Sequence, residues 1–170
     1  MTTLLRGTAA LGHGAVRRRR AVAAAGAVSA GLLLLSACDK PTPMATVTVG
    51  SDSVSSEAAC GGHGKTLETA EIQECLQDDN VKSISVNADD TVRFGVDPEV
   101  ADERWTILMN GQQLTDDTDN TYRTVPGSVF FNAQYGAQGD STLVTIKAGD
   151  GKDDSEEATG LWSFKLKKDD

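Results

Sequence analysis

Short runs in which every second residue is apolar make up most of the sequence after residue 80. Glycine, proline, asparagine and aspartate, which favour turns, separate these runs. An alternation with a period of two predicts β-strands that bury one face each. A run of the same kind occurs earlier, at 45–49. The predicted strands are therefore 45–49, 83–86, 91–96, 104–109, 122–125, 129–135, 142–147 and 162–166. Many short strands with turns between them are typical of a β-sandwich or a barrel.

Two of these strands carry large apolar side chains on one face. The side chains are Trp105, Ile107 and Met109 in one strand and Trp162, Phe164 and Leu166 in the other. We expect both faces to meet in one core, with the tryptophans buried rather than exposed for ligand stacking. The first strand ends in Asn110-Gly111, a pair that favours a type I′ hairpin, and it resembles the third strand of immunoglobulin-like domains. The prediction is a mainly β, immunoglobulin-like sandwich of about seven or eight short strands with one short disulfide-linked helix.

Two connections between the predicted strands can also be interpreted. The runs 83–86 and 91–96 flank Asp89 and Asp90, and this spacing predicts that they pair as a hairpin. The stretch 50–57 is rich in serine and is expected to be a polar connection rather than a strand.

The first 38 residues have the order of a bacterial secretory signal. An arginine cluster at 17–20 precedes a short apolar run at 31–35, and Ser36 and Ala37 lie directly before Cys38. A cysteine after small residues in this position resembles the lipobox of bacterial lipoproteins. The resemblance implies cleavage before Cys38, a diacylglyceryl group on its sulfur, and a protein anchored to the cell membrane on its extracytoplasmic face.

The predicted organisation is a signal peptide over 1–37, a tether over 38–44 and a single domain over 45–170 with a helical insertion near 61–78. A transmembrane helix over 21–37 is disfavoured, because the stretch is rich in alanine and glycine and a span needs about 20 strongly apolar residues. An ordinary cysteine after a soluble-export cleavage site is the other alternative. The arginines also fit a twin-arginine signal, and a start at Val16 would shorten the leader, so the export route and the start codon stay open.

The charge of the chain is concentrated after the predicted signal. Residues 38–170 contain 11 Lys and Arg against 25 Asp and Glu, a net charge of −14. Such a charge argues against nucleic-acid binding, which requires basic residues to neutralise phosphates. It also repels anionic lipid headgroups, so the domain is expected to stand off the membrane. A protein or cationic partner remains compatible with it.

Two cysteines remain after the predicted lipid-modified one. Cys60 and Cys75 belong to an exported chain, and such pairs usually form a disulfide. Thr66 is predicted to cap a helix over 67–77, in which Ile72, Cys75 and Leu76 share one face. Cys75 would therefore point inward, toward Cys60. The alternative is a pair of buried thiols.

Residues with catalytic or metal-binding chemistry are scarce. His63 is the only histidine after the predicted signal, and it lies among glycines that would fix a catalytic base poorly. With Cys38 acylated and the other cysteines paired, no thiol nucleophile, zinc site or blue-copper site can be assembled. The sequence therefore predicts no enzymatic activity and no cofactor.

Two acid-rich segments, 116–120 and 150–157, offer oxygen ligands of the kind that calcium prefers. Neither matches the calcium-loop pattern, since from Asp117 the fifth and sixth positions are Thr121 and Tyr122. Acid-rich loops usually solvate a surface, so we predict no metal site.

Four segments together with the lipobox resemble an actinobacterial envelope lipoprotein family, domain of unknown function 2771. They are ATVTVG (45–50), SSEAAC (55–60), FGVDPE (94–99) and GLWSFKL (160–166). The resemblance covers nearly all of the chain after Cys38 and implies a cell-envelope lipoprotein. It implies no activity, substrate or catalytic residue.

The function expected from these observations is that of a non-catalytic binding or accessory module, lipid-anchored at the outer face of the cytoplasmic membrane. One alternative is an immunoglobulin-fold protease inhibitor of the chagasin kind, in which 97–105 would occupy the place of an inhibitory loop. The loop motifs of that family are absent. The other alternative is an envelope hydrolase, which lacks a nucleophile and base that the sequence can place.

Overall fold

Ten strands form two sheets that pack face to face in the computed structural model, which describes residues 41–77, 81–149 and 157–169. Residues from Thr42 onward belong to one compact unit. The described part is mainly β, and its two sheets form a sandwich, as the alternation predicts.

The smaller sheet has four antiparallel strands in the order β2-β1-β5-β8. They are β1 (Met44–Val49), β2 (Asp52–Glu57), β5 (Thr91–Val96) and β8 (Tyr122–Pro126). Val47 of β1 lies opposite Val54 of β2 on one side and Phe94 of β5 on the other.

The larger sheet has six strands, with the order β3-β10-β9-β6-β7 and with β4 paired parallel to the second half of β10. They are β3 (Cys60–Gly61), β4 (Lys82–Val86), β6 (Trp105–Met109), β7 (Gln112–Gln113), β9 (Ser141–Ala148) and β10 (Gly160–Lys168). The other pairs in this sheet are antiparallel.

The strand pairing follows the immunoglobulin-like arrangement. Strands β5 and β8 pair in one sheet, as B and E do in that fold, and β6, β9 and β10 follow one another in the other sheet, as C, F and G do. Strand β6 thus takes the position of strand C and carries the buried Trp105. This confirms the predicted fold class.

Three short α-helices connect the strands within the described residues. They are α1 (Thr69–Leu76), α2 (Pro98–Asp102) and α3 (Gly127–Phe130), and a 3₁₀ helix (Ala133–Tyr135) follows α3. Helix α1 begins later than predicted. Glu68 takes the cap position, and its backbone N–H donates to the Glu71 carboxylate at 2.9 Å, so Thr66 is not the cap.

The core between the sheets contains the side chains that the alternation predicts. Trp105 is 0 % exposed and Trp162 is 1 % exposed. The other predicted members of both faces are buried in the same cluster: Ile107, Met109, Phe164 and Leu166. The ring centroids of Phe94 and Phe130 lie 5.9 Å apart in this core.

The predicted hairpin between 83–86 and 91–96 is wrong. Strand β4 pairs with β10 of the larger sheet, whereas β5 pairs with β1 and β8 of the smaller one. The chain crosses between sheets at a tight turn, where the Asp90 N–H donates to the Asn87 carbonyl at 3.1 Å. Val86 and Val92 thus meet in one core from opposite sheets. An alternating pattern reports a buried face but not which strand lies beside it.

Two further expectations differ from the structure. The serine-rich stretch, expected to be a polar connection, forms edge strand β2, which buries no side chain fully and is held by its pairing with β1. The segment 129–135, predicted as a strand, instead contains the end of α3 and the 3₁₀ helix. Phe130 nevertheless reaches the core from α3. The apolar residues of this segment therefore indicate burial correctly, but they do not distinguish a strand from a short helix.

Candidate functional site

The predicted disulfide between Cys60 and Cys75 is present. It joins strand β3 to helix α1, and Cys75 is 5 % exposed. The expectation that the helix turns this cysteine inward is confirmed. The predicted lipid-attachment residue, Cys38, lies outside the described residues.

Helix α1 lies on the face of the larger sheet that is turned away from the main core. A second apolar cluster forms there, with Cys75, Ala158 and Leu161 buried and Leu67 and Ile72 packed against them. Backbone hydrogen bonds reinforce it, since the Leu67 N–H donates to the Ala158 carbonyl at 2.7 Å. The disulfide and this cluster together fix the helix on the sheet.

A cleft of about 320 Å³ lies between α1 and the hairpin of β6 and β7. Ile72 and Leu76 of the helix and Leu108 of β6 supply its apolar walls, while Gln113 and Lys147 supply polar groups. Small-molecule sites commonly combine apolar walls with a few polar groups, and this volume is at the small end of their range of about 300–1,000 Å³. A second depression, about 510 Å³, lies beside the disulfide.

The beginning of the domain is tied to its core. The Trp162 indole N–H donates to the Pro43 carbonyl at 3.0 Å, and the Met44 N–H donates to the Asp97 carboxylate at 2.8 Å. Pro43 is itself buried. Both Pro43 and Met44 belong to the predicted tether, yet in the structure they are held by the domain.

The strand registers divide the loops between two ends of the sandwich. One end, which we call the tether end, holds Pro43, helix α2 and the start of β10. The opposite end, which we call the free end, holds the turn at Gly50, the hairpin turn at Asn110 and the segment 127–140. Strand β10 runs between these ends over nine residues, a length of about 30 Å.

The structure places some of the side chains that were considered for a catalytic or metal centre. His63 is exposed, and no cluster of three or more His, Cys, Asp or Glu side chains suited to a metal occurs within 41–77, 81–149 and 157–169. In the acidic segment 116–120, Arg123 and Arg104 donate to the carbonyls of Asp116 and Asp117 at 2.6 and 3.3 Å. Most of the second acidic segment, 150–156, lies outside the described residues.

The segment that would serve as an inhibitory loop forms helix α2. Val100 and Ala101 are each 2 % exposed, and the Val100 and Ala101 N–H groups both donate to the Asp97 carbonyl. A segment that packs into the core in this way does not project as a loop toward a protease site. The arrangement therefore does not favour the inhibitor alternative.

Sequence reasoning missed the free end as a surface. The segment 127–140 was predicted to contain a strand, but it carries Tyr135, which is 53 % exposed. A signal was available: the sequence has no charged residue between Arg123 and Asp140, and none between Arg104 and Asp116. Such long uncharged stretches stand out in a chain of this acidity.

Comparison with protein-family models, with curated proteins and with solved structures finds no match to this chain. Within the part of the chain that the structure describes, no helix has the length and apolar character needed to cross a membrane.

Proposed function

We propose that this chain is a bacterial envelope lipoprotein, anchored by acyl chains on Cys38, whose domain is a non-catalytic binding or accessory module. The order of arginines, apolar run, small residues and cysteine supports export and lipid attachment. Acyl chains are a sufficient anchor when two or more are attached, whereas one chain binds membranes only marginally. The resemblance to the actinobacterial family of unknown function is part of this proposal.

The observation that carries the proposal is the position at which the domain begins. Pro43 is already held by Trp162, and it follows Cys38 by five residues, which span at most about 18 Å. An anchor on Cys38 would therefore keep the tether end beside the bilayer and turn the free end outward.

A binding role agrees better with this arrangement than a catalytic one. The cleft beside α1 has apolar walls and neutral amides, and its one charged group is Lys147. Among the described residues the Thr159 hydroxyl donates to the Glu103 carboxylate at 2.5 Å, but neither residue lines this cleft. The acidic surface is unsuited to nucleic acid, so the partner is a protein or another component of the envelope.

Membrane fractionation of cells that express Cys38→Ala tests the proposal. Loss of the thiol removes the site of lipid transfer, so the variant should leave the membrane fraction or remain uncleaved. Ser36→Ala keeps a small residue before the cleavage point and should fractionate as the wild type does. Cys38→Ala protein that stays in membranes at the mature mass would contradict the proposal.

A further inference from the structure

The free end carries an uncharged polar surface built from two segments. We call it the neutral tip and define it by Asn110, Gln112, Asn132, Gln134 and Tyr135. All of these side chains are exposed except that of Asn132, which is half-buried. These five residues carry no charge, although the exposed Asp89 and Asp140 lie at the same end of the sandwich.

Hydrogen bonds hold the two segments of the neutral tip together. The Asn110 side-chain amide donates to the Gly136 carbonyl at 3.0 Å, and its oxygen accepts from the Leu143 N–H at 3.2 Å. The Asn132 side chain accepts from the Gln134 N–H at 2.9 Å and so caps the 3₁₀ helix that presents Tyr135. A surface that is ordered before binding loses less conformational entropy when a ligand arrives.

The absence of charge among the residues of the neutral tip limits the chemical class of ligand that it can bind. An anionic polymer would be matched by lysine or arginine, and a cationic one by aspartate or glutamate. The neutral tip has neither, but it has amide groups that both donate and accept hydrogen bonds. The amides of Gln112 and Gln134 have no hydrogen-bond partner among the described residues, so they are free to bind a neutral polar ligand.

The aromatic content of the neutral tip favours a sugar over a protein as its ligand. Tyr135 and Tyr122 are the large apolar side chains that are exposed in the described ranges, and Tyr122 lies at the tether end. Protein interfaces normally have a central group of several aromatic or apolar side chains, whereas the neutral tip has a single ring. One aromatic face beside amides suits a sugar ring, whose C–H groups pack on the aromatic ring and whose hydroxyls pair with the amides.

We propose that the neutral tip binds an uncharged polysaccharide, with Tyr135 stacking on a sugar ring and Gln112 and Gln134 bonding to its hydroxyls. The choice of the free end as the outward surface rests on the proposed anchor at Cys38. Binding at the tip does not itself require the lipid, so the two proposals can fail separately.

Affinity electrophoresis tests this proposal with the mature lipoprotein in a zwitterionic, sugar-free detergent. Native gels would contain glucan, mannan, galactan or arabinan, and a parallel gel would contain anionic alginate. Because a neutral polymer adds no charge, a loss of mobility greater than that of a non-binding protein in the same gel reports binding. We expect at least one of the four neutral polymers, but not alginate, to retard the wild type.

Tyrosine variants locate the interaction. Tyr135→Ala should raise the dissociation constant about tenfold, and Tyr135→Phe should bind nearly as the wild type does because the ring remains. Tyr122→Ala removes the more exposed of the two rings from the other end and should not change binding. Gln112→Ala combined with Gln134→Ala should weaken binding about fivefold. Urea unfolding of each variant would show that the fold is intact.

Three results would overturn the proposal: no retardation of the wild type by any of the four neutral polymers, unchanged binding by Tyr135→Ala, or equal losses in Tyr135→Ala and Tyr122→Ala. Membrane release of Cys38→Ala with normal polysaccharide binding would leave both proposals standing. Polysaccharide binding by a protein that proves to carry no lipid would refute only the anchor.

Discussion

The indole N–H of Trp162 donates a 3.0 Å hydrogen bond to the carbonyl oxygen of Pro43, a residue 119 positions earlier in the chain. Trp162 is buried in the core, near the start of strand β10. Pro43 precedes the first strand directly. The bond therefore links the beginning of the domain to its core, and any pull on the preceding segment would act on a buried side chain rather than on a loose terminus.

Truncation of either core tryptophan should strongly destabilise the domain. Trp105→Ala and Trp162→Ala each remove a fully buried aromatic side chain, a change that typically costs about 3–5 kcal/mol. Trp162→Phe should cost less, since it keeps most of the packing but leaves the Pro43 carbonyl without its donor, a loss of about 1–3 kcal/mol. Urea unfolding measures each free-energy difference.

The control for the tryptophan variants is Tyr122→Ala. Tyr122 is 62 % exposed, and a surface substitution of this kind should change the free energy of unfolding by no more than about 0.5 kcal/mol. Near-wild-type stability of both tryptophan→Ala variants would contradict the core described above.

The disulfide should be intramolecular and should stabilise the fold. The mass of the native protein should increase by about two units on reduction, the mass of the two hydrogens that a disulfide replaces. Cys60→Ser with Cys75→Ser should cost about 3 kcal/mol by the loop-closure estimate for 15 residues. Two thiols that alkylate freely in the native protein would refute this prediction.

Gly127 is predicted to tolerate no side chain. Its N–H donates to the Asp90 carbonyl at 2.7 Å. An added Cβ would overlap the Asn87 carbonyl oxygen and would lie 3.1 Å from that of Asp90. Gly127→Ala should therefore displace the turn between β4 and β5 and cost about 1–3 kcal/mol.

The adjacent variant Ser128→Ala is the matched control for Gly127→Ala, because Ser128 is exposed in the same helix. Its unfolding midpoint in urea should equal that of the wild type. If Gly127→Ala behaves in the same way, the close approach of α3 to the turn is not a constraint on the sequence.

Much of the sandwich could be predicted because its strands turn their large apolar side chains to one face, although β6 and the first half of β10 are buried on both faces. The alternation at 91–96 or 162–166 identifies such a face directly, and Asn110-Gly111 adopts the positive φ angles, 50° and 81°, that a type I′ turn requires. Which strand pairs with which could not be predicted in the same way. Both β4 and β5 alternate, yet they belong to different sheets, because the turn between them crosses the core.

The candidate surfaces were only partly predictable. The pairing of Cys60 with Cys75 could be predicted from the expectation of export to an oxidising compartment and from the inward face of the predicted helix. The cleft beside α1 depends on how the helix lies across β6, a long-range relationship that no local pattern records. Tyr135 falls in the predicted strand 129–135, but Phe130 reaches the core from α3 and Tyr135 ends the 3₁₀ helix.

Mass spectrometry of the N-terminal peptide of the membrane-isolated protein shows whether Cys38 carries a lipid. We expect a peptide that begins at Cys38 and carries the mass of a diacylglyceryl group on its sulfur, with or without a further acyl chain on its amine. A peptide that begins upstream of Cys38, or one with an unmodified Cys38, would contradict the claim that this domain is held at the membrane by a lipid.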